Sequence, residues 1–299
     1  GVTREIAVRR EVVVSSGSIN SPKLLELSGI GQRDILEAQG IALHHELAGV
    51  GENLRDHYSP RVKFAITAKN ATYNDNGRGW RLAREALKYA LFQEGFLAST
   101  SVPIRMYFRT REGLETPDAT ISVLPFIYEM KGRERHIAKQ AGITMNINVL
   151  GSESRGDIHI QSPDVHVPPA IRFNFLSARH DRDGLVAAIR KARELMSTEP
   201  IAGITGEELA PGIDKQSDDQ ILDWVRHTGE TTYHPVGTCK MGPDPMAVVD
   251  ERLRVRGVSG LRVADASIMP TLTSGNTNAP CIMIGEKCAQ MVLADAGSS

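Results

Sequence analysis

The change of texture along the chain constrains its fold more than any single motif. Both ends alternate strand-like and helix-like stretches, whereas the middle runs strand after strand without a helix between each. At the start, Ile6 and Val8 alternate before the run Val12, Val13, Val14, which predicts strands already inside a sheet. Ser21 before Pro22 predicts a helix start, since proline is tolerated in the first helical turn. Leu24, Leu25 and Leu27 supply a short apolar face, and Gly29 closes that helix. A second helix over 32–39 and a strand over 41–45 complete an α/β pattern. In the middle, "GWRLAREALKYALFQE" (79–94) places Trp80, Ala83, Leu87, Ala90 and Leu91 on one helical stripe. The runs "SVPIRMYFR", "ATISVLPFIYEM", "GITMNINVLG" and "GDIHIQ" follow and predict an antiparallel sheet in an α+β domain. Helices are expected near 178–198 and 217–228. The α/β texture returns from His234, with the strand "GLRVAD" and a last helix from Pro280. One domain is interrupted by another.

Bulk properties narrow the function classes. A net charge of -1 gives no bias toward nucleic acid or an anionic membrane. No apolar run is long enough for a transmembrane segment. The three cysteines, Cys239, Cys281 and Cys288, lack CxxC spacing; they read as reduced, buried thiols in a cytoplasmic setting. His44 and His45 are adjacent, so on a strand they point to opposite faces, and no cluster with ligand spacing accompanies them. No metal is expected.

Two glycine motifs do not carry the chemistry they suggest. "GIGQRD" and "GVGENL" open like GxGxxG, but neither has the third glycine, and Gly29 follows a helix rather than a strand. "TTYHPVGTCKMG" and "TSGNTNAPCIMIGEK" carry more. Pro235 biases His234 toward extended geometry, and Gly275 frees the backbone before Asn276. Both side chains belong on shaped loops, where catalytic groups concentrate.

The stretch from Gly17 to Gly31, with "GVGENLRDH", "SRGDIHIQSPD", "HPVGTCKMG", "VVDERLRVRGVSGLRVADASIMP" and "SGNTNAPCIMIGEK" following in order, resembles the glucose–methanol–choline oxidoreductases. These are FAD-dependent enzymes acting on alcohols. The resemblance implies an α/β FAD-binding domain, incomplete here, over 1–56 and 230–299. It implies an α+β substrate-binding domain with an antiparallel sheet over 57–229. The glycine-rich βαβ unit with which such enzymes begin is missing, so the chain is expected to be a C-terminal part and to bind FAD weakly alone. A missing N-terminal segment and a homo-oligomer are both open as partners.

The resemblance places the catalytic pair at His234 and Asn276, and cofactor contacts at Gly17, Tyr233, Asp265, Ala266, Asn278 and Ala279. The chemistry suits these residue types. Oxidising an alcohol sends a hydride to flavin N5 and a proton to a base, and histidine, with a pKa near about 6.5, is poised for that proton. Asn276 would stabilise the developing alkoxide. Asn278 reads as an N-cap with Pro280 in the first turn, so the last helix would turn its positive end toward the negative N1–O2 edge of reduced flavin. Asp265 reads alternatively as a helix or turn cap. The implied partners are a small alcohol and an electron acceptor, oxygen or a quinone-like carrier. Two alternatives stand: a hydroxynitrile lyase of the same fold, and an inactive, cofactor-free fragment. A quaternary-ammonium substrate needs an acid or aromatic cage, and no residue can be assigned to one.

Overall fold

In the computed structural model, which describes residues 4–131 and 134–297, the chain divides into two units. A terminal unit gathers the residues up to His57, Gly151–Ala178 and those from Thr232 onward; a middle unit holds Tyr58–Leu150 and Arg179–Thr231.

The middle unit is organised by side-chain alternation. Its five-stranded antiparallel sheet runs in the order Thr205–Ala210, Arg61–Ile66, Gly142–Val149, Ala119–Leu124, Ile104–Phe108. On Arg61–Ile66 the odd positions Arg61, Lys63 and Ala65 take one face, while Val62, Phe64 and Ile66 are buried on the other. The Arg179–Met196 helix lies on the apolar face, close enough at Gly184 that an added Cβ would sit 2.9 Å from Val149. Ile121, Ile147 and Val62 are fully buried; each such side chain contributes about 1.5–3 kcal/mol. The Asp218–Thr228 helix starts in a capping box: Ser217 Oγ accepts from Gln220 N, and Gln220 Oε1 accepts from Ser217 N. The Gly79–Phe92 helix also forms, but its apolar stripe is uncovered, with Trp80 69 % and Leu91 63 % exposed. The residue that this helix buries is Glu85.

Three of the four predicted sheet strands join this sheet. The fourth, Asp157–His159, pairs instead with Ala170–Arg172 inside the terminal unit. The predicted boundary at 57–229 therefore differs from the structure over 151–178, and backbone bonds explain why. Leu54 and Gly156 exchange bonds of 2.9 Å, and Ile158 N donates to Gly51 O at 2.8 Å. The buried carboxylate of Glu26 adds a second tie, accepting from Ile160 N at 2.8 Å and meeting His159 Nδ1 at 2.7 Å. Thr205–Ala210 fills a sheet edge that its polar sequence does not advertise.

In the terminal unit the strands are short. Val12–Val14 pairs in parallel with Leu261–Val263, and Ile30–Gly31 with His45–Glu46. Val14, Val50, Val236, Val249, Val263 and Ile284 belong to one buried cluster beneath them. The first helix is Gly17–Leu27, five residues earlier than Ser21–Pro22 predicts, and Pro22 lies inside it. Pro22 has no N–H for the carbonyl of Ser18. Thr238 Oγ1 donates to that carbonyl at 2.6 Å and makes the proline tolerable. The last helix is Asn278–Gly297; Asn278 is its first residue rather than its cap, and Cys281 N donates to Thr277 O. No helix among the described residues is long and apolar enough to cross a membrane.

Candidate active site

The His234 loop is held in place by backbone contacts. Arg55 N donates to Val236 O at 3.0 Å, Val236 N returns a bond to Arg55 O, and Asp56 Oδ1 accepts from His234 N at 2.9 Å. Tyr233 adopts a left-handed φ of 62°, and its side chain is exposed. Gly237, at φ +94°, must be glycine, because an added Cβ would sit 2.5 Å from Asn53 O.

The His234 ring meets three partners. Its Nε2 lies 3.3 Å from Asn276 Nδ2, and its Nδ1 lies 3.0 Å from Thr232 Oγ1 and 3.3 Å from His57 Nδ1. The two histidine rings meet edge to face at 88°, with centroids 5.4 Å apart. Asp56 and His57 are buried, His234 is half-buried and Asn276 is exposed. Asn276 stands on a loop that Thr273 Oγ1 braces by donating to Gly275 O at 3.1 Å. Gly275 takes no left-handed φ and has open space where a Cβ would be, so the loop's shape does not depend on that glycine.

A second cluster forms around Asp265. Its Oδ2 accepts from Gly17 N at 3.0 Å and from Ser21 Oγ at 2.5 Å; its Oδ1 accepts from Ser267 N at 2.8 Å. The carboxylate thus caps both the Gly17–Leu27 helix and the short Ala266–Ile268 turn. Gly17 has φ +80°, with nothing within 4 Å of an added Cβ. Gly237 N donates to Ala266 O at 3.3 Å and Cys239 N to Ser267 O at 2.9 Å, so the His234 loop runs beside the Asp265 turn. Burial pushes the Cys239 thiol well above the ordinary thiol range and leaves it an inert packing group.

Residues 1–59 and 152–285 match the two family models described as GMC oxidoreductase. The chain belongs to the GMC oxidoreductase family. It is 39 % identical over 288 residues to the oxygen-dependent choline dehydrogenase of Pseudomonas fluorescens, covering 96 % of this chain and 50 % of the relative. It is likewise 39 % identical over 286 residues to that of Escherichia coli, covering 96 % and 51 %. The chain spans about half the length of the curated relatives it matches. Among solved structures, pyridoxine 4-oxidase from Mesorbium loti superposes with a TM-score of 0.78 at 27 % identity, over 94 % of this chain and 50 % of that one. A formate oxidase superposes at 0.85 and 24 % identity, over 97 % and 55 %, and shows the shared fold.

Within this GMC chain, sequence-predicted residues fall into two groups. His234 meets Asn276, and Gly17 meets Asp265 across 248 residues. Asn278 and Ala279 open the 20-residue last helix, where the first amides have no carbonyl of their own helix to bond. That donor set fits an electron-rich ring edge such as that of a flavin. Sequence reasoning missed Asp56, His57 and Thr232. The signal was present: "RDH" ends one motif, and "TTYH" begins another. Asp56, His57 and His234 also bring ligand-type atoms within 4.8 Å of one another. Asp56 Oδ1 in that group accepts from the His234 backbone.

Proposed function

We propose that the chain carries the proton-accepting half of an FAD-dependent alcohol oxidoreductase, with His234 as base and Asn276 as its partner. The observation that carries this reading is the 3.3 Å approach of Asn276 Nδ2 to His234 Nε2, from loops 42 residues apart. Asp56 holds the histidine's backbone, so the ring edge is positioned without the substrate. Nε2 takes the alcohol's proton, and the Asn276 amide donates to the oxygen as negative charge develops on it. FAD, when bound, supplies the hydride acceptor. Gly17, Tyr233, Asp265, Ala266, Asn278 and Ala279 are the residues proposed to face it, the helix-opening amides of Asn278 and Ala279 suiting an anionic edge. The electrons then pass to oxygen or a quinone-like carrier. The names of the relatives, dehydrogenases and oxidases, favour hydride transfer over lyase chemistry.

The test is His234→Ala in the FAD-loaded enzyme that contains this chain. We expect the rate of flavin bleaching by alcohol to fall about 100- to 10,000-fold, with FAD content and melting temperature retained. Asn276→Ala should cost less, because water can replace its amide. Bleaching at the wild-type rate in His234→Ala would make the histidine a packing residue.

A further inference from the structure

A neutral imidazole carries one proton, and which nitrogen holds it decides which edge can act as a base. For His234 the surroundings make that choice. Thr232 donates its backbone N–H to His57 O at 3.0 Å, and its hydroxyl also reaches His57 O, at 3.1 Å. A carbonyl oxygen only accepts, so the single hydroxyl proton of Thr232 is committed to it. The oxygen of that hydroxyl lies 3.0 Å from His234 Nδ1 and can therefore only accept there. We propose that Thr232 is a positioning residue that fixes the tautomer of His234, holding the ring proton on Nδ1 and leaving the Nε2 lone pair toward Asn276.

The Asn276 contact agrees. With the proton on His234 Nδ1, the neighbouring His57 Nδ1, 3.3 Å away, is an acceptor, so His57 must carry its own proton on the buried Nε2, a desolvation cost that the Thr232 and Asn276 contacts have to outweigh. The two histidines then hold opposite tautomers. The Asn276 amide N–H faces a lone pair on His234 Nε2, not a second proton. In the reverse arrangement Thr232 would donate to His234 Nδ1. Its lone pairs would then oppose those of His57 O at 3.1 Å, and the Nε2 proton would confront the Asn276 N–H. One hydroxyl thus aligns three side chains. The inference rests on the reading of His234 as the proton acceptor, and it concerns a property measurable without any reaction.

Nitrogen NMR of the chain labelled with ¹⁵N-histidine tests it, with His234→Asn used to identify the resonances. At a pH where His234 is neutral, the wild-type ring should show its proton on Nδ1. Thr232→Val keeps the branched shape but loses the hydroxyl. It should move the tautomer ratio toward Nε2–H by about fivefold, the ratio equivalent to the ~1 kcal/mol net worth of one hydrogen bond. Thr232→Ser should restore the wild-type ratio. In the FAD-loaded enzyme, Thr232→Val should lower the rate of flavin reduction with little change in KM, and Thr232→Ser should recover it. A wild-type ring protonated on Nε2 overturns the proposal even where Thr232→Val does not fold. An unchanged ratio in a folded Thr232→Val overturns it as well. If the tautomer behaves as stated while His234→Ala reduces flavin at the wild-type rate, the base assignment fails and the tautomer device stands.

Discussion

The middle unit and the terminal unit are held together by different means. In the middle unit, backbone bonds run between adjacent strands, and an apolar face alternating with a polar one lies under a helix. In the terminal unit the strands are two or three residues long, and single polar groups join distant parts of the chain. Asp265 binds Gly17, Thr238 binds Ser18, Glu26 binds His159, and Arg262 binds both Glu11 and Asp295. Every predicted functional side chain belongs to this second kind of structure. A ladder spreads its stability over many equivalent bonds, whereas a loop scaffold concentrates it in a few buried polar groups, each costly to lose.

Four measurements can break or sharpen that contrast. Glu26→Ala should produce the largest loss, about 3–5 kcal/mol, because it strips a buried histidine–carboxylate contact and leaves Ile160 N unbonded. Hydrogen exchange should show the loss confined to the terminal unit; equal loosening of the five-stranded sheet would mean that the units are not energetically distinct. Ile121→Val, in the middle of that sheet, should cost about 1 kcal/mol, as expected where many neighbours share the load. A cost as large as that of Glu26→Ala would erase the contrast from the other side.

A subtler effect comes from pH. Burial alone would lower the His159 pKa, but the hydrogen bonds and charges of Glu26 and Glu52 outweigh it and raise the value. The folded state therefore holds the His159 proton more tightly than the unfolded chain, whose histidine titrates near about 6.5. The stabilisation is complete below that pH and is lost as pH rises through the higher folded value. Denaturation midpoints followed upward from pH 6 should fall more steeply in wild type than in His159→Gln. Parallel curves would remove His159 from the account. Arg172→Ala should do least. It breaks the exposed Arg172–Asp157 pair and should change stability by less than about 0.5 kcal/mol by denaturant titration.

The same contrast decides what could be read in advance. Successive strand-like runs made the strands at Ile104–Phe108, Ala119–Leu124 and Gly142–Val149 legible, and the Asp218–Thr228 helix falls where one was expected near 217–228. "GDIHIQ" is just such a run, yet its attachment depends on Gly51, Leu54 and Glu26, far away in sequence. The early start of the Gly17–Leu27 helix was hidden for the same reason, since Pro22 is acceptable there only because Thr238 satisfies Ser18. Among the proposed site residues, motif membership pointed to His234, Asn276, Gly17 and Asp265. Thr232 and His57 matter through the direction of a proton, and no spacing rule encodes that.

The Thr238–Ser18 bond also has a consequence for the order in which the chain can acquire its structure. A ribosome delivers Ser18 some 220 residues before the hydroxyl that completes its helix. Asp265, which caps that helix, arrives later still. The five-stranded sheet needs nothing beyond Thr231 and can form while the terminal unit is still waiting. The Gly17–Leu27 segment therefore waits through the synthesis of the middle unit for Thr238 and Asp265. A stop codon between Thr231 and Thr238 would leave the middle unit complete and the Gly17–Leu27 helix without the Thr238 and Asp265 contacts that complete it.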